Sequence, residues 1–361
     1  MRFLKYLSII LIFLVQSCDV SYTDEIKPVE PDPDTEDPTV EIEFPTNGTL
    51  IRVVEDVTDI EIRFEATDDV FLEEVELTLD GNTIATLTDF IDYRRVVEEL
   101  EYEGLTNGPH TLTITATDGE GNTTSASVDF EKTEPYTAKY DGEIFYMPFD
   151  NEFLELLTLT PAEEVGSPGF TSDAVAGTGA YAGAAGAYLT YPAESLKNSE
   201  FSAVFWFKVN ADPNRAGILV MSPEGEDSPP GTLNNGFKFF REAAGDDQRF
   251  KLNAGTGDGN SWFDGGEAAD LNPAVDTDWQ HLAFTISETQ NTVYINGEIV
   301  RQGEFAGISW DNVEIMSIMS GEPNFQHWDH LSDLSQMDEL RIFNKALSQA
   351  EIQQIIADEA P

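Results

Sequence analysis

The sequence predicts an all-β protein made of two successive β-sandwiches, and three observations carry that prediction. Short runs alternate apolar and polar residues with period two, as in Ile60-Glu61-Ile62-Arg63-Phe64. Turn-forming pairs, among them Asp80-Gly81 and Asn296-Gly297, stand between such runs. No region alternates strands with helices in the manner a parallel sheet demands. Period two sends successive side chains to opposite faces, so one apolar set per strand means one buried face.

The chain of 361 residues begins with Arg2 and Lys5, an apolar run from Tyr6 to Val15, and then Gln16-Ser17-Cys18. A spanning helix needs about 20 apolar residues, roughly twice this run, so the order is that of a signal peptide and not of a transmembrane segment. Cys18 is the only cysteine and has no partner for an internal disulfide. Its place behind the small Ser17 resembles a bacterial lipobox, which implies removal of residues 1–17 and a lipid on Cys18. Simple secretion after a cut near Ser17 or Cys18 is the alternative.

The chain carries 19 Lys and Arg against 68 Asp and Glu, a net charge of −49. Loss of the leader with Arg2 and Lys5 takes this to −51. Phosphate backbones are held by clustered cations, so nucleic acid is excluded as a partner. Acidic polysaccharides are disfavoured for the same reason, although Lys238, Arg241, Arg249 and Lys251 could form a local basic cluster.

Residues 18–37 read as an acidic tether with Pro28, Pro31 and Pro33, extended at about 3 Å per residue. Residues 38–133 then carry the half-buried strands Val40–Phe44, Ile60–Phe64, Val75–Leu79 and Thr111–Thr115. Asp80-Gly81 supplies a hairpin turn between Leu79 and Ile84, because glycine accepts the positive φ such a turn needs. Asp118, Glu120 and Asn122 carry oxygen atoms that suit calcium, but no complete calcium loop is present and a solvated turn is the better reading. Through "LTLDGNTIATL" and "GPHTLTITATDGEGNTTSASVDF" the segment resembles bacterial immunoglobulin-like modules, which commonly act as spacers.

A linker over 134–143, near Pro135, leads to a second unit at 144–361. Val293 and Ile295 lie on one side of their strand with Tyr294 on the other, and Asn296-Gly297 turns the hairpin. Leu282, Phe284 and Ile286 share a face, and Ser348 with Glu351 forms a capping box ahead of the apolar stripe Ile352, Ile355 and Ile356. "IFYMPFDNE", "FSAVFWFKV", "DWQHLAFTISETQNTVYINGEIV" and "MDELRIFNKALSQAEIQQI" follow one another in the order found in the laminin-G-like, concanavalin A-like jelly rolls. The unit is similar to that family. The resemblance implies a two-sheet jelly roll and a structural calcium shared by Asp150 of "PFDN" and Asp338 of "MDEL".

Jelly rolls of this kind include glycoside hydrolases, but the second unit lacks the strand with alternating carboxylates that a retaining pair requires. It also lacks a Gly-x-Ser-x-Gly elbow, a His-Glu-x-x-His motif and a phosphate loop. The expectation is therefore a protein without an enzymatic role. Sugar rings offer an apolar face and a polar rim, which a flat aromatic beside amides and carboxylates matches. Trp206 and Trp279 sit in apolar strand runs and read as packing residues. Trp262, Trp310 and Trp328 stand among turn-forming residues instead. The long loop from Gly321 to Gln336 holds Phe325, His327, Trp328 and His330. The expected glycan site is Trp262, Trp328, Phe325 and His327, with Trp310, Asn260 and Asp264 nearby. A zinc cluster of His327, Asp329 and His330 is disfavoured, since i, i+3 spacing serves a metal only on a helix.

Anchor, tether, spacer and lectin-like unit together resemble the surface glycan-binding lipoproteins of bacterial polysaccharide-uptake systems. That resemblance implies outer-membrane, cell-surface placement, with a secreted or periplasmic protein as the alternative. It also implies a polysaccharide ligand, more neutral than acidic, and association with an outer-membrane transporter. An adhesion or scaffold protein with a protein partner, and a divergent carbohydrate-active enzyme, are the rival readings.

Overall fold

The computed structural model describes residues 34–223 and 232–360, with the Thr232 and His327 side chains left out. The expected leader, the lipid attachment at Cys18 and most of the tether lie outside these residues. Eight strands come first: β1 (Thr39–Phe44), β2 (Leu50–Ile51), β3 (Val57–Thr67), β4 (Leu72–Leu79), β5 (Asn82–Leu87), β6 (Arg95–Thr106), β7 (Gly108–Asp118) and β8 (Thr123–Lys132). They form one sheet in the order β1-β3-β6 and another in the order β2-β8-β7-β4-β5. Ile60, Ile62 and Phe64 alternate into the core from β3, and Leu112, Ile114 and Ala116 do so from β7. The β4–β5 hairpin turns at Asp80 and Gly81 with φ of 52° and 76°, where a β-branched residue would be strained.

The second sandwich opens with β9 (Glu143–Met147) and a small hairpin of β10 (Leu154–Glu155) and β11 (Thr160–Pro161). Short strands follow: β12 (Glu163–Val165), β13 (Gly169–Thr171), β14 (Ala180–Ala182) and β15 (Tyr188–Pro192). Then come β16 (Phe201–Lys208), β17 (Arg215–Met221), β18 (Phe237–Ala244), β19 (Asp247–Gly255), β20 (Asn260–Asp264) and β21 (Asp270–Leu271). The remainder is β22 (Gln280–Ile286), β23 (Gln290–Ile295), β24 (Glu298–Glu304), β25 (Ile315–Ile318), β26 (Gln336–Phe343) and helix α1 (Gln349–Glu359).

One sheet runs β12-β15-β25-β17-β18-β19-β20, with β21 on β19. The other runs β13-β14-β26-β16-β22-β23-β24, with β9 on β26. Between them lies a core rich in phenylalanine, including Phe205, Phe207, Phe237, Phe239, Phe250 and Phe284. Leu282, Phe284, Ile286, Val293 and Ile295 enter it as their alternation predicts, while Tyr294 turns away. Helix α1 covers the far side of the second sheet. Its Ser348–Glu351 capping box is formed, and Ile352 and Ile355 pack on Val204, Ala283 and Phe343. Trp206 is buried there and donates from Nε1 to Glu359 at 3.0 Å, whereas Trp279 is half-buried with Nε1 3.4 Å from Asp173.

Candidate functional site

On the first sheet, Phe250, Leu252 and Ala254 of β19 point into the core, so Arg249, Lys251 and Asn253 point outward. Their cross-strand neighbours on the same face are Lys238, Phe240 and Glu242 of β18. On β20 the register places Trp262 opposite Asn253 and Asp264 opposite Lys251. An outer face of a sandwich is normally polar, so Phe240 and Trp262 need a cover or a purpose.

The loop from Gly321 to Ser335 supplies the cover. Phe325 is 1% exposed and lies 5.3 Å from Phe240, and with Val220 they make a small core separate from the main one. His330 stacks on Phe325 at 4.7 Å and 19°, and meets Phe240 edge-on at 4.6 Å. Three devices hold the loop down. Asn324 donates to the Ser222 carbonyl at 2.7 Å; Arg241 grips Asp333 through Nε and Nη2 at 2.7 and 2.8 Å; and Gly321 lies against the Phe325 and His330 carbonyls, where any Cβ would collide. The loop's backbone then places Trp328 and Asp329 at φ of 67° and 61°. A bulky residue in this region is strained, a state that persists when surrounding contacts over-determine it. The Trp328 carbonyl receives Arg215 Nη1 at 2.9 Å.

This brings two tryptophans side by side. Trp262 and Trp328 are 40% and 43% exposed, with ring centroids 6.0 Å apart and planes tilted by 46°. Beneath them Phe240 meets Trp262 edge-on at 6.0 Å and Phe325 meets Trp328 edge-on at 6.3 Å. A polar rim adjoins the pair. Lys251 binds Glu242 at 2.9 Å and Asp264 at 3.2 Å, and His330 Nε2 is 3.3 Å from Glu242. His330 and Lys251 hold the Glu242 carboxyl down at about 2 against the effect of burial. Burial acts to raise Asp264, but the Gly266 amide and Lys251 outweigh it and leave its carboxyl below the usual range. Asn260 joins Asn253 at 3.0 Å and Asn234 at 3.2 Å. A cleft of ≈ 540 Å³ lined by Asp212, Arg215, Asp329, Leu331 and Ser332 continues from the Arg215 side.

Several expected positions need correction. Trp262 lies on strand β20 and not in a loop. Phe325 cannot touch a ligand, because it is the buried anchor of the loop. Trp310 is half-buried against Phe201 and Phe237, and its Nε1 donates to the Asn198 carbonyl at 2.7 Å, so it caps the main core. His327 shares a turn with Trp328, but its side chain is outside what the structure describes. The expected basic cluster is split: Arg241 lies on the inner face, paired to Asp333, while Arg249 is bound to Asp270 and Lys251 to Glu242 and Asp264. Phe240 was the missed residue, hidden in the run Phe237–Phe240, where only the register tells inward from outward.

Two other carboxylate groups bear on chemistry. Arg341 sits among Glu143, Glu359 and Glu339 at 2.5, 2.6 and 2.9 Å. Burial pushes Glu339 up to about 7, a value suited to proton transfer, but the whole cluster is at most 7% exposed, and Glu359 belongs to α1. The expected calcium pair meets amides instead. Asp338 accepts the Val175 and Ala176 N–H groups at 2.7 and 3.3 Å, and Asp150 accepts those of Thr178 and Gly179. Both carboxylates thus clamp one loop. Among the described residues no third carboxylate or histidine converges with them. Asp150 and Asp338 do not fit a calcium site.

Residues 183–353 match the family model of the concanavalin A-like lectin/glucanases superfamily, and residues 38–128 match that of a bacterial Ig domain. The chain carries a concanavalin A-like domain behind a bacterial Ig domain. Strand β9, ahead of the matched span, belongs to the concanavalin A-like sandwich through its pairing with β26. Domain 4 of AbnA, an extracellular GH43 arabinanase from Geobacillus stearothermophilus solved with arabinotriose, is similar at 17% identity, over 60% of this chain and 99% of that one, with a TM-score of 0.46. The binding domain of Paraclostridial Mosquitocidal Protein 1 is similar at 15% identity, over 60% and 52%, with a TM-score of 0.44. The binding domain of botulinum neurotoxin DC, in complex with SialylT, is similar at 12%, over 60% and 52%, at 0.42. With every TM-score below 0.5, these likenesses decide nothing about what this chain binds. Among curated proteins no sequence matches it.

Proposed function

We propose that this chain captures polysaccharide at a bacterial cell surface without cleaving it, and that its concanavalin A-like domain does so through Trp262 and Trp328. The observation that carries this reading is the exposed tryptophan pair with its polar rim. Two rings 6.0 Å apart offer adjoining apolar surfaces to a sugar chain, while Asp264, Lys251 and Asn260 are within the same face for its hydroxyls. Pairing of Lys251 and Arg249 with carboxylates leaves the face without a basic excess, which supports a neutral glycan over an acidic one. The rim carboxylates favour binding over hydrolysis. A general acid must hold a proton near neutral pH, and Glu242 and Asp264 are both shifted the other way.

Within this proposal Cys18 carries the lipid, residues 18–37 supply reach, the Ig domain is a spacer, and the captured polymer passes to an outer-membrane transporter. Modest affinity per site is enough when many anchored copies engage one polymer. The test is retention of the purified chain on neutral and acidic polysaccharides, with product analysis of the same samples. Trp262→Ala and Trp328→Ala should each weaken retention about tenfold, or about 1.4 kcal/mol. Retention unchanged by both substitutions sinks the site, and release of oligosaccharides sinks the non-catalytic reading.

A further inference from the structure

Beyond the glycan face, the bacterial Ig domain contains a cluster of acids that its sequence order hides. The register of β1 on β3 pairs Thr39 with Thr67, so the residues ahead of β1 arrive beside Asp68 at the end of β3. The register of β4 on β7 pairs Leu72 with Asp118, and Gly119 donates to the Phe71 carbonyl at 3.1 Å, which brings the end of β7 to the same corner. Carboxylate oxygens of Asp34, Asp68 and Asp118 consequently lie within 4.8 Å of one another. Asp118 is fully buried, Asp68 is 8% exposed and Asp34 is half-buried.

Three such carboxylates repel one another strongly away from water. Among the described residues no lysine or arginine pairs with any of them. Asp118 is met by the Glu120 and Asn122 amides at 3.0 and 2.7 Å and by Asn122 Nδ2 at 2.6 Å. Asp68 Oδ1 accepts the Val70 and Phe71 amides at 2.8 and 2.6 Å. Its other oxygen, Oδ2, is shut off from solvent and has no hydrogen-bond donor. A buried carboxylate oxygen without a donor, facing two further carboxylates, is a costly arrangement that a cation removes.

We infer that Asp34, Asp68 and Asp118 bind a calcium ion that fastens the chain entering the bacterial Ig domain to the ends of β3 and β7. Calcium takes oxygen ligands at about 2.3–2.6 Å, so ligands on opposite sides of the ion stand about 4.6–5.2 Å apart, in keeping with this cluster. Magnesium, with ligands at about 2.0–2.1 Å, needs a tighter and more regular octahedron. The half-buried Asp34 leaves one side for water, which calcium's variable coordination accepts. Because β3 and β7 belong to different sheets, the ion ties both sheets and the incoming segment at a single point.

The test is calorimetric titration of the full chain, stripped of divalent ions with EDTA, using calcium chloride and magnesium chloride. The expected result is one calcium bound, with magnesium at least about tenfold weaker, and amides of residues 34–37 exchanging more slowly once calcium is added. Asp34→Asn, Asp68→Asn and Asp118→Asn should each weaken calcium binding at least about tenfold, while Asp150→Asn leaves it unchanged. Melting in EDTA verifies that each variant folds. If the two buried positions fail that control, Asp34→Asn decides alone, since its side chain is not part of a core. No calcium binding at about 10 mM, or binding that survives Asp34→Asn, overturns the assignment.

Discussion

Replacing Asp333 with asparagine should destabilise the concanavalin A-like domain by about 3–5 kcal/mol. Asp333 receives Arg241 through two bonds of 2.7 and 2.8 Å, and neither side chain has any exposed surface. The substitution keeps the shape, removes the negative charge and one acceptor, and leaves a guanidinium in the interior with only neutral partners, the remaining amide oxygen, the Pro213 carbonyl and Gln248. An exposed pair is worth about 0–1 kcal/mol, so burial sets the scale here. At about 2–4 °C per kcal/mol for a domain of this size, the melting transition should fall by about 6–20 °C. Differential scanning calorimetry of the full chain reads this, provided the two domains' transitions are resolved. The double variant Arg241→Met with Asp333→Leu should recover most of the loss, because apolar replacement of both partners removes the stranded charge. A drop below about 1 kcal/mol for Asp333→Asn would refute the reasoning, since it would mean water reaches Arg241.

Phe325→Ala should cost stability of about 3–5 kcal/mol in the loop's small core and also weaken glycan retention by releasing Trp328, whereas Trp262→Ala should lower retention and leave the melting transition within about 1 kcal/mol. Calorimetry and retention measured on the same preparations separate the two effects. Burial depresses His281 to about 3 in the folded chain against 6.5 when unfolded. Between those values the unfolded chain holds the extra proton, so stability is full above about pH 6.5 and declines as pH falls towards 3. Urea midpoints at about pH 7 and about pH 4.5 should therefore drop further for the native chain than for His281→Leu.

Much of the fold could be read from the chain because its signals are local. Period-two runs, Asp80-Gly81, Asn296-Gly297 and the Ser348–Glu351 box each depend on residues close in sequence, and each is present as expected. The site was legible only in part. Trp262 and Trp328 do meet, but a string of aromatics in one loop does not say which turns inward, so Phe325 was expected at the surface, as was Trp310 from its turn-forming neighbours Ser309 and Asp311. Phe240 became visible only through the register of β18 on β19. The cluster of Asp34, Asp68 and Asp118 draws on three distant stretches of chain, and strand pairing alone creates it.

The small core of Val220, Phe240 and Phe325 is distinct from the main one. Only two of its residues belong to the sheet, and the third arrives with the loop that carries Trp328. Substitutions in that loop can therefore reshape the surface offered to a ligand without repacking the phenylalanine interior between the sheets. Diversification of ligand preference and conservation of the sandwich are uncoupled in this architecture. A library confined to residues 322–332, with the anchors Asn324, Phe325 and His330 kept, would be a compact way to redirect the proposed glycan binding.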